Sequence, residues 1–464
     1  MKKTYTHRIL MLIIPALILY PFLPGCDQPE PESRPVATVN GRIVTADEFA
    51  FFYEFIPRHI AAQTKEKAYT DALQRLTDRI LLAQKAESMG LEASDTLMQR
   101  ALDLFRRQAV NRELYLKYIR NPITVTEQEA RKAFERSCKT LHVKHFQTAL
   151  EPEIKNVQSG VVPWKHIPMY PGVKTIESPL YGAVDAISWN DVAPDLEEKL
   201  YSMDLHQVSE PVFDGTYYHI FKVVDYEKNV LIREHDFQAH RESITGVLRK
   251  RKETRASSEF VQQVMAPQQV IIKADVLNAL TRHLWEKRPL EPEKLQYLPD
   301  QEVNTLEDTN RRLAARVIAT YRDGELTVGD LIMNYRVNPQ PVTYTSEAGL
   351  RESLKNATAV YVRDHVLSEM GLREKMDQYP SVWEEVQTRR EYLLAEKMIR
   401  NLYHSIKDSI TSDEEKEVWL EDYLTKLRAD ASIEIDEDLL LSINTSDEGF
   451  TRKIDFVGVS TSYE

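Results

Sequence analysis

The apolar positions begin on a period of two. Val36 to Val44 reads as two short strands around a tight Asn40-Gly41 turn. From Thr45 the period becomes helical. Thr45 with Glu48 three residues on is a capping box, and Phe49, Phe52, Tyr53, Ile56 and Ile60 follow on one stripe, with Pro57 set to kink or end the helix. A second helix is expected over Lys65–Met89, with Leu73, Leu76, Ile80 and Ala83 inward and Gly90 as its C-terminal stop. A third runs from about Ser94 to Ile119 on Leu97, Ala101, Leu104 and Phe105, until Asn121-Pro122 breaks it. Thr126, with Glu129 as its capping partner, starts a short helix towards Ser137.

The period returns to two in the stretch from Leu141 to Tyr226. Side chains alternate along a strand, so Leu141, Val143 and His145 share one face of the first strand, and His219, Phe221 and Val223 share one face of the last. Two inward histidines, one on each strand, are the main chemical lead. Two readings of them stand: a catalytic pair, or a satisfied hydrogen-bonded pair that holds the sheet in register. Between these strands, Glu151–Pro179 reads as irregular and contains Pro163, Pro168 and Pro171. Tyr181–Trp189 returns to the sheet. Asp195–Met203 is a helix with the stripe Leu196, Leu200, Met203, and Val208–Val212 is extended, with Pro211 suited to an edge. Beyond Tyr226 a long helix covers about Asp236–Met265. Its basic run Arg249–Lys252 is read as a solvated face. A strand over Gln269–Lys273, a helix over Ala274–Trp285 and a Pro-containing, charged linker over Pro289–Asn310 complete this part.

The remaining third repeats the first. Val317–Leu326 mirrors the first strand pair and Thr327 with Asp330 mirrors the capping box. Met370-Gly371-Leu372 mirrors Met89-Gly90-Leu91, and Ile433–Leu440 mirrors the strand and helix from Val270. The histidine-bearing stretch has no second copy. Some of the aromatic surface around Phe49, Phe51, Phe52, Tyr53 and Phe55 exceeds what one face needs, so it is read either as part of a groove for an extended chain or as core packing between helices.

Composition adds constraints. At 464 residues, 42% hydrophobic and 28% charged, the chain is that of an ordinary globular protein of several domains. The start is different: Lys2, Lys3 and Arg8 precede an apolar run from Ile9 to Leu23, short of the ~20 residues a spanning helix needs and suited to a signal segment. Leu23-Pro-Gly-Cys26 follows and resembles a bacterial lipobox, which implies acylation of Cys26 and a lipid anchor; a plain secretory signal is the alternative. The net charge of −12 becomes −15 without the three leader cations, so there is no electrostatic case for nucleic acid. Cys138 is the other cysteine, which leaves no thiolate cluster for zinc. His142 and His145 are three apart on a strand and point to opposite faces, and no cofactor motif is present.

The layout resembles the parvulin-containing folding factors of the bacterial envelope, of the SurA and PrsA kind. His142-Val-Lys-His145-Phe resembles the family's first strand. Val192-Ala-Pro-Asp-Leu-Glu-Glu resembles its Met-Val-Pro-Glu-Phe-Glu-Glu helix, and Val208-Ser-Glu-Pro-Val212 with Tyr218-His-Ile resembles its closing strand. The chain departs from the family at Tyr181-Gly-Ala-Val-Asp185, where Gly-Gly-Asp-Leu-Gly is usual, and Gln158–Tyr181 holds no Asp or Cys. The resemblance implies an α+β fold, with a parvulin-like α/β domain inserted in a mainly helical chaperone frame and a second frame-like C-terminal repeat. It places His145 and His219 as catalytic residues, with Val192, Leu196, Tyr181 and Phe221 around the substrate. The implied function is peptidyl-prolyl cis-trans isomerisation on unfolded or maturing envelope polypeptides, facing the periplasm; the alternative is an inactive holdase. The expected divisions are 1–25 leader, 26–35 acylated cysteine and tether, 36–122 first helical segment and 123–228 parvulin-like domain. They continue with 229–288, a helix and strand returning onto the first segment, then a 289–312 linker and a 313–464 second frame.

Overall fold

The computed structural model describes residues 35–444 except 56–63, 93–94, 170–172, 215, 229–232, 289–297, 299–305, 307–309, 338–339, 407–408 and 411. The expected leader, Cys26 and its tether, Pro57 with Ile56 and Ile60, and most of the 289–312 linker therefore lie outside the described residues. The fold is α+β, and the described residues form two compact units, one of those up to 96 with those from 390 on, the other of those from 97 to 389.

In the first unit, β1 (Pro35–Val39) and β2 (Arg42–Thr45) form the expected hairpin. Asn40 and Gly41 both take positive φ, 49° and 82°, as a two-residue turn matched to strand twist requires. α1 (Ala46–Phe55) starts where Thr45 Oγ1 accepts the Glu48 N–H at 3.1 Å. The Glu48 carboxylate turns to Arg42 instead of closing the box. α2 (Lys65–Ser88) ends before Gly90, whose φ is 68°. The third strand of this sheet is β11 (Ile433–Ile435), paired antiparallel to β1 with Ala37 opposite Ile435. Phe49, Tyr53, Tyr69, Leu73, Leu76 and Ile80 form the core together with Leu440 of the last described helix (Glu437–Ser442) and Ile443 just after it. Phe49 and Tyr53 thus belong to the core, Phe52 lies under Arg79, and Phe51 alone of the described aromatic side chains on this helix is strongly exposed.

The second unit contains a hairpin of the same kind, β9 (Val317–Tyr321) with β10 (Gly324–Thr327), and Thr327 with Asp330 makes the expected reciprocal cap. Its third strand is β8 (Ile271–Ile272), with Ile272 opposite Ala319. α8 (Ala274–Glu286) packs Val276, Leu277, Leu280 and Leu284 against Ile318, Leu331, Leu350 and Leu354. The segment expected to return onto the first hairpin closes the second one, and β11 of the repeat closes the first. The two copies present the same edge and apolar face, so one copy's pattern cannot specify which closing strand it receives. Leu298 and Leu306, read as linker, are buried in this second core.

Between the two hairpins in sequence, the second unit carries α3 (Thr96–Tyr115), which continues as a π-helical turn over Leu116–Arg120 before Asn121-Pro122. Its buried face is Met98, Phe105, Ala109, Val110 and Leu114; Leu97, Ala101 and Leu104 are half-buried. α4 (Glu127–Ser137) carries the full Thr126–Glu129 capping box. A five-stranded antiparallel sheet follows, in the order β4-β5-β3-β7-β6. Its strands are β3 (Lys139–Thr148), β4 (Lys174–Ser178), β5 (Gly182–Ile187), β6 (Val212–Phe213) and β7 (Tyr218–Lys228). α5 (Glu151–Gln158) covers one face with Ile154 and Val157, and α6 (Pro194–Ser202) covers the other with Leu200.

α5 and β4 occupy the stretch read as irregular. α5 is one short amphipathic segment entered through Pro152, and β4 is a polar edge strand; neither is long enough to show a period through the surrounding prolines. α7 (Glu234–Met265) then passes along this unit, with Phe237 meeting Phe134 edge to face at 5.5 Å. The basic run on α7 is a solvated face only in its first half, where Arg249 and Lys250 are exposed. Arg251 pairs with Glu197 of α6 at 2.7 Å and Lys252 with Glu129 of α4 at 2.7 Å.

Candidate functional site

The two central strands position the histidines. β3 and β7 pair with His145 opposite Phe221 and Gln147 opposite His219, so the histidines are diagonal neighbours on one face. Both point into the apolar side occupied by Leu141, Val143, Phe221 and Val223. Their rings are nearly parallel, 11° apart with centroids at 5.2 Å. His145 Nε2 lies 3.0 Å from His219 Nδ1. His145 Nδ1 lies 2.8 Å from the Ile167 carbonyl, and His219 Nε2 lies 2.9 Å from Oδ2 of Asp214.

These partners assign the protons. A carbonyl only accepts, so His145 Nδ1–H donates to Ile167 and Nε2 is left as acceptor. His219 Nδ1–H must then donate to it. Asp214 also only accepts when ionised, so the chain of bonds is complete when His219 donates from both nitrogens. Asp214 is held low, at about 2, by the backbone N–H groups of Tyr217 and Thr216 and by His219. Burial pushes His145 down to about 4, and the neighbouring His219 acts in the same direction.

A second polar cluster lies behind the first. The fully buried carboxylate of Asp185 accepts from Met169 N–H at 2.8 Å, Thr175 Oγ1–H at 2.6 Å and His166 Nε2–H at 3.2 Å. His166 Nδ1 accepts the backbone N–H of His145 at 3.2 Å, and the Ile167 N–H donates to the His145 carbonyl at 2.8 Å. The segment around His166 is therefore laced to β3 at the histidine itself. Neither Asp214, Asp185 nor His166 was singled out from the sequence as a partner. The available signal was a lone carboxylate in the apolar strand Ala183-Val-Asp185-Ala-Ile187, since such a group must find donors.

The structure gathers most of the residues expected at the site. Val192 and Phe221 are buried in the cluster below the histidines, and Leu196 packs against it half-buried. Tyr181 is elsewhere: its ring faces His206 at 5.8 Å at the end of β5. Cys138 is half-buried beside Phe134 and Phe237. The assembled group is a buried apolar cluster beside a saturated hydrogen-bond chain: His145, His219, Val192 and Phe221 are all buried, and Leu196 at its margin is half-buried.

No family model matches this sequence, and no curated protein matches it. Among solved structures the chain is similar to a SurA-like chaperone of Campylobacter jejuni, at 16% identity, covering 52% of this chain and 100% of that one with a TM-score of 0.24. It is also similar to a peptidylprolyl isomerase, PrsA, of Bacillus cereus, at 15% identity, covering 50% and 89% with a TM-score of 0.20. A third similar structure is the foldase PrsA of Streptococcus pneumoniae, at 10% identity, covering 47% and 86% with a TM-score of 0.21.

Proposed function

We propose that this protein is a folding factor of the bacterial cell envelope that binds unfolded or maturing exported polypeptides, and that its five-stranded unit is a parvulin-type peptidyl-prolyl isomerase domain. The observation that carries this reading is the hydrogen-bonded pair His145–His219 at 3.0 Å beside the apolar group Val192, Leu196 and Phe221. The chemistry is rotation about an X–Pro bond, with a barrier of ~18–20 kcal/mol in free peptide. The twisted amide loses conjugation and carbonyl polarity, so an apolar wall favours it over the planar ground state. Val192 and Leu196 hold the proline ring. The histidine pair fixes β3 against β7, so that Phe221 and the strand ends keep their place. The lipid anchor at Cys26, facing the periplasm, belongs to the same proposal; no described helix is long and apolar enough to cross a membrane.

The test is cis/trans exchange in a proline tetrapeptide followed by NMR. The full chain is expected to accelerate exchange, and Leu196→Ala and His219→Ala each to reduce the acceleration about tenfold or more. No acceleration by wild type over buffer removes the isomerase reading. One observation favours a second reading, that of a holdase without catalysis. The histidine chain is closed at both ends by the protein's own Ile167 carbonyl and Asp214 carboxylate, leaving no spare donor for substrate. That reading predicts suppressed aggregation of an unfolded envelope protein with no effect on proline exchange.

A further inference from the structure

Glu197 on α6 is a carboxylate with 1% exposure. Such a group must be paired and hydrogen-bonded. Its Oε1 accepts from Arg251 Nη1 at 2.9 Å, and its Oε2 accepts from Arg251 Nη2 at 2.7 Å and from the Asn190 N–H at 2.7 Å. The same guanidinium donates to Asn190 Oδ1 at 2.9 Å and lies over the Trp189 ring at 5.1 Å. Asn190 has a φ of 73°, a conformation that a side chain other than Gly, Asn or Asp rarely adopts, and these contacts hold it there. One arginine on α7 thus fixes both the turn that leads into α6 and the first turn of α6 itself. Val192 lies between Asn190 and Glu197, and Leu196 precedes Glu197, so the apolar wall is bracketed by the clamp. A lysine could not make this bidentate, ring-stacked contact.

We propose that Arg251 is a positioning residue for the candidate site: through Glu197 and Asn190, helix α7 sets where Val192 and Leu196 stand relative to the histidine pair. This rests on the proposal that those two side chains hold the proline ring. Lys252 provides the control. It is the next residue on α7, but its ammonium donates to Glu129 and to the Thr124 carbonyl, at the start of α4, and among the described residues no hydrogen bond or ion pair joins it to α6.

The experiment compares wild type, Arg251→Gln and Lys252→Gln in the full chain, with two readouts. The first is amide hydrogen exchange across α6. Arg251→Gln leaves a buried carboxylate without its cation, and protection of α6 is expected to fall about a hundredfold, with Lys252→Gln leaving α6 unchanged. The second is proline-peptide turnover, where Arg251→Gln is expected to raise KM about tenfold, more than it lowers kcat, and Arg251→Lys to recover little of it. Unchanged α6 protection in Arg251→Gln overturns the proposal. So does loosened α6 with unchanged KM, which would make the clamp purely structural. A wild type that neither binds nor turns over the peptide removes the isomerase reading and the positioning role together. The exchange data then still decide whether Arg251 holds α6.

Discussion

Acidification is expected to break the histidine chain at its buried end. His145 is fully buried, and burial is the main reason its imidazole sits at about 4 and not near 6.5. Geometry gives the same direction. A proton added at Nε2 would point at the N–H of His219, 3.0 Å away, and would remove the acceptor of that bond. The folded-state value lies below the unfolded one, so the native protein resists this protonation. The stability contributed is complete above about pH 6.5 and is lost as the pH falls towards 4; the gap between the two values corresponds to about 3 kcal/mol. An NMR titration of the histidine rings measures this, with His145→Gln identifying the resonance. The Nδ1 nitrogen should carry the proton at neutral pH, and the ring should titrate well below the exposed histidines. The difference in urea stability between wild type and His145→Gln should shrink over the same range. A His145 midpoint at or above about 6.5, or an Nδ1 without its proton, refutes the reasoning.

Two further substitutions test the packing. On the helix Glu347–Arg373, a Cβ at Gly371 would overlap the fully buried Val110 and meet Leu114 at 3.3 Å. Gly371→Ala should therefore lower the thermal midpoint, at about 1–3 kcal/mol, despite the gain of about 1 kcal/mol in helix propensity; an unchanged or raised midpoint would show that α3 gives way. Asn40 donates to Gln84 at 2.8 Å, accepts the Ser432 N–H at 2.9 Å, and holds a φ of 49°. Asn40→Ala should cost about 1–2 kcal/mol and raise exchange at β11 first; uniform exchange along both β2 and β11 would count against that order.

Local chemistry was legible in the sequence where a few adjacent residues carry the whole signal. The Asn40-Gly41 turn, the Thr126–Glu129 box, the stop at Gly90, the helix over Asp195–Met203 and the shared face of His145 and His219 are of this kind. What the sequence hid depends on partners far away. Arg251 and Lys252 look like a solvated basic run until α6 and α4 arrive beside them. Asp185 and His166 pair across nineteen residues of proline-containing chain. Leu298 and Leu306 stand in a charged stretch broken by Pro292 and Pro299, where the apolar residues follow no regular period, yet both are buried. The exchange of closing strands was hidden by the repeat itself.

That exchange orders events in time. β1 is among the first described segments made and its partner β11 is among the last, with Ala37 joined to Ile435. At a synthesis rate of about 5–20 residues per second, the first hairpin waits about 20–80 s for its third strand. β8 and β9 meet much sooner, since Ile272 and Ala319 are separated by one short stretch of chain. The second unit's sheet can therefore close while the first still shows an open strand edge and the uncovered side of Phe49, Tyr53 and Tyr69. A protein proposed to shelter unfinished chains would pass through the same exposed state itself, and a chain ended before Ile433 would never leave it.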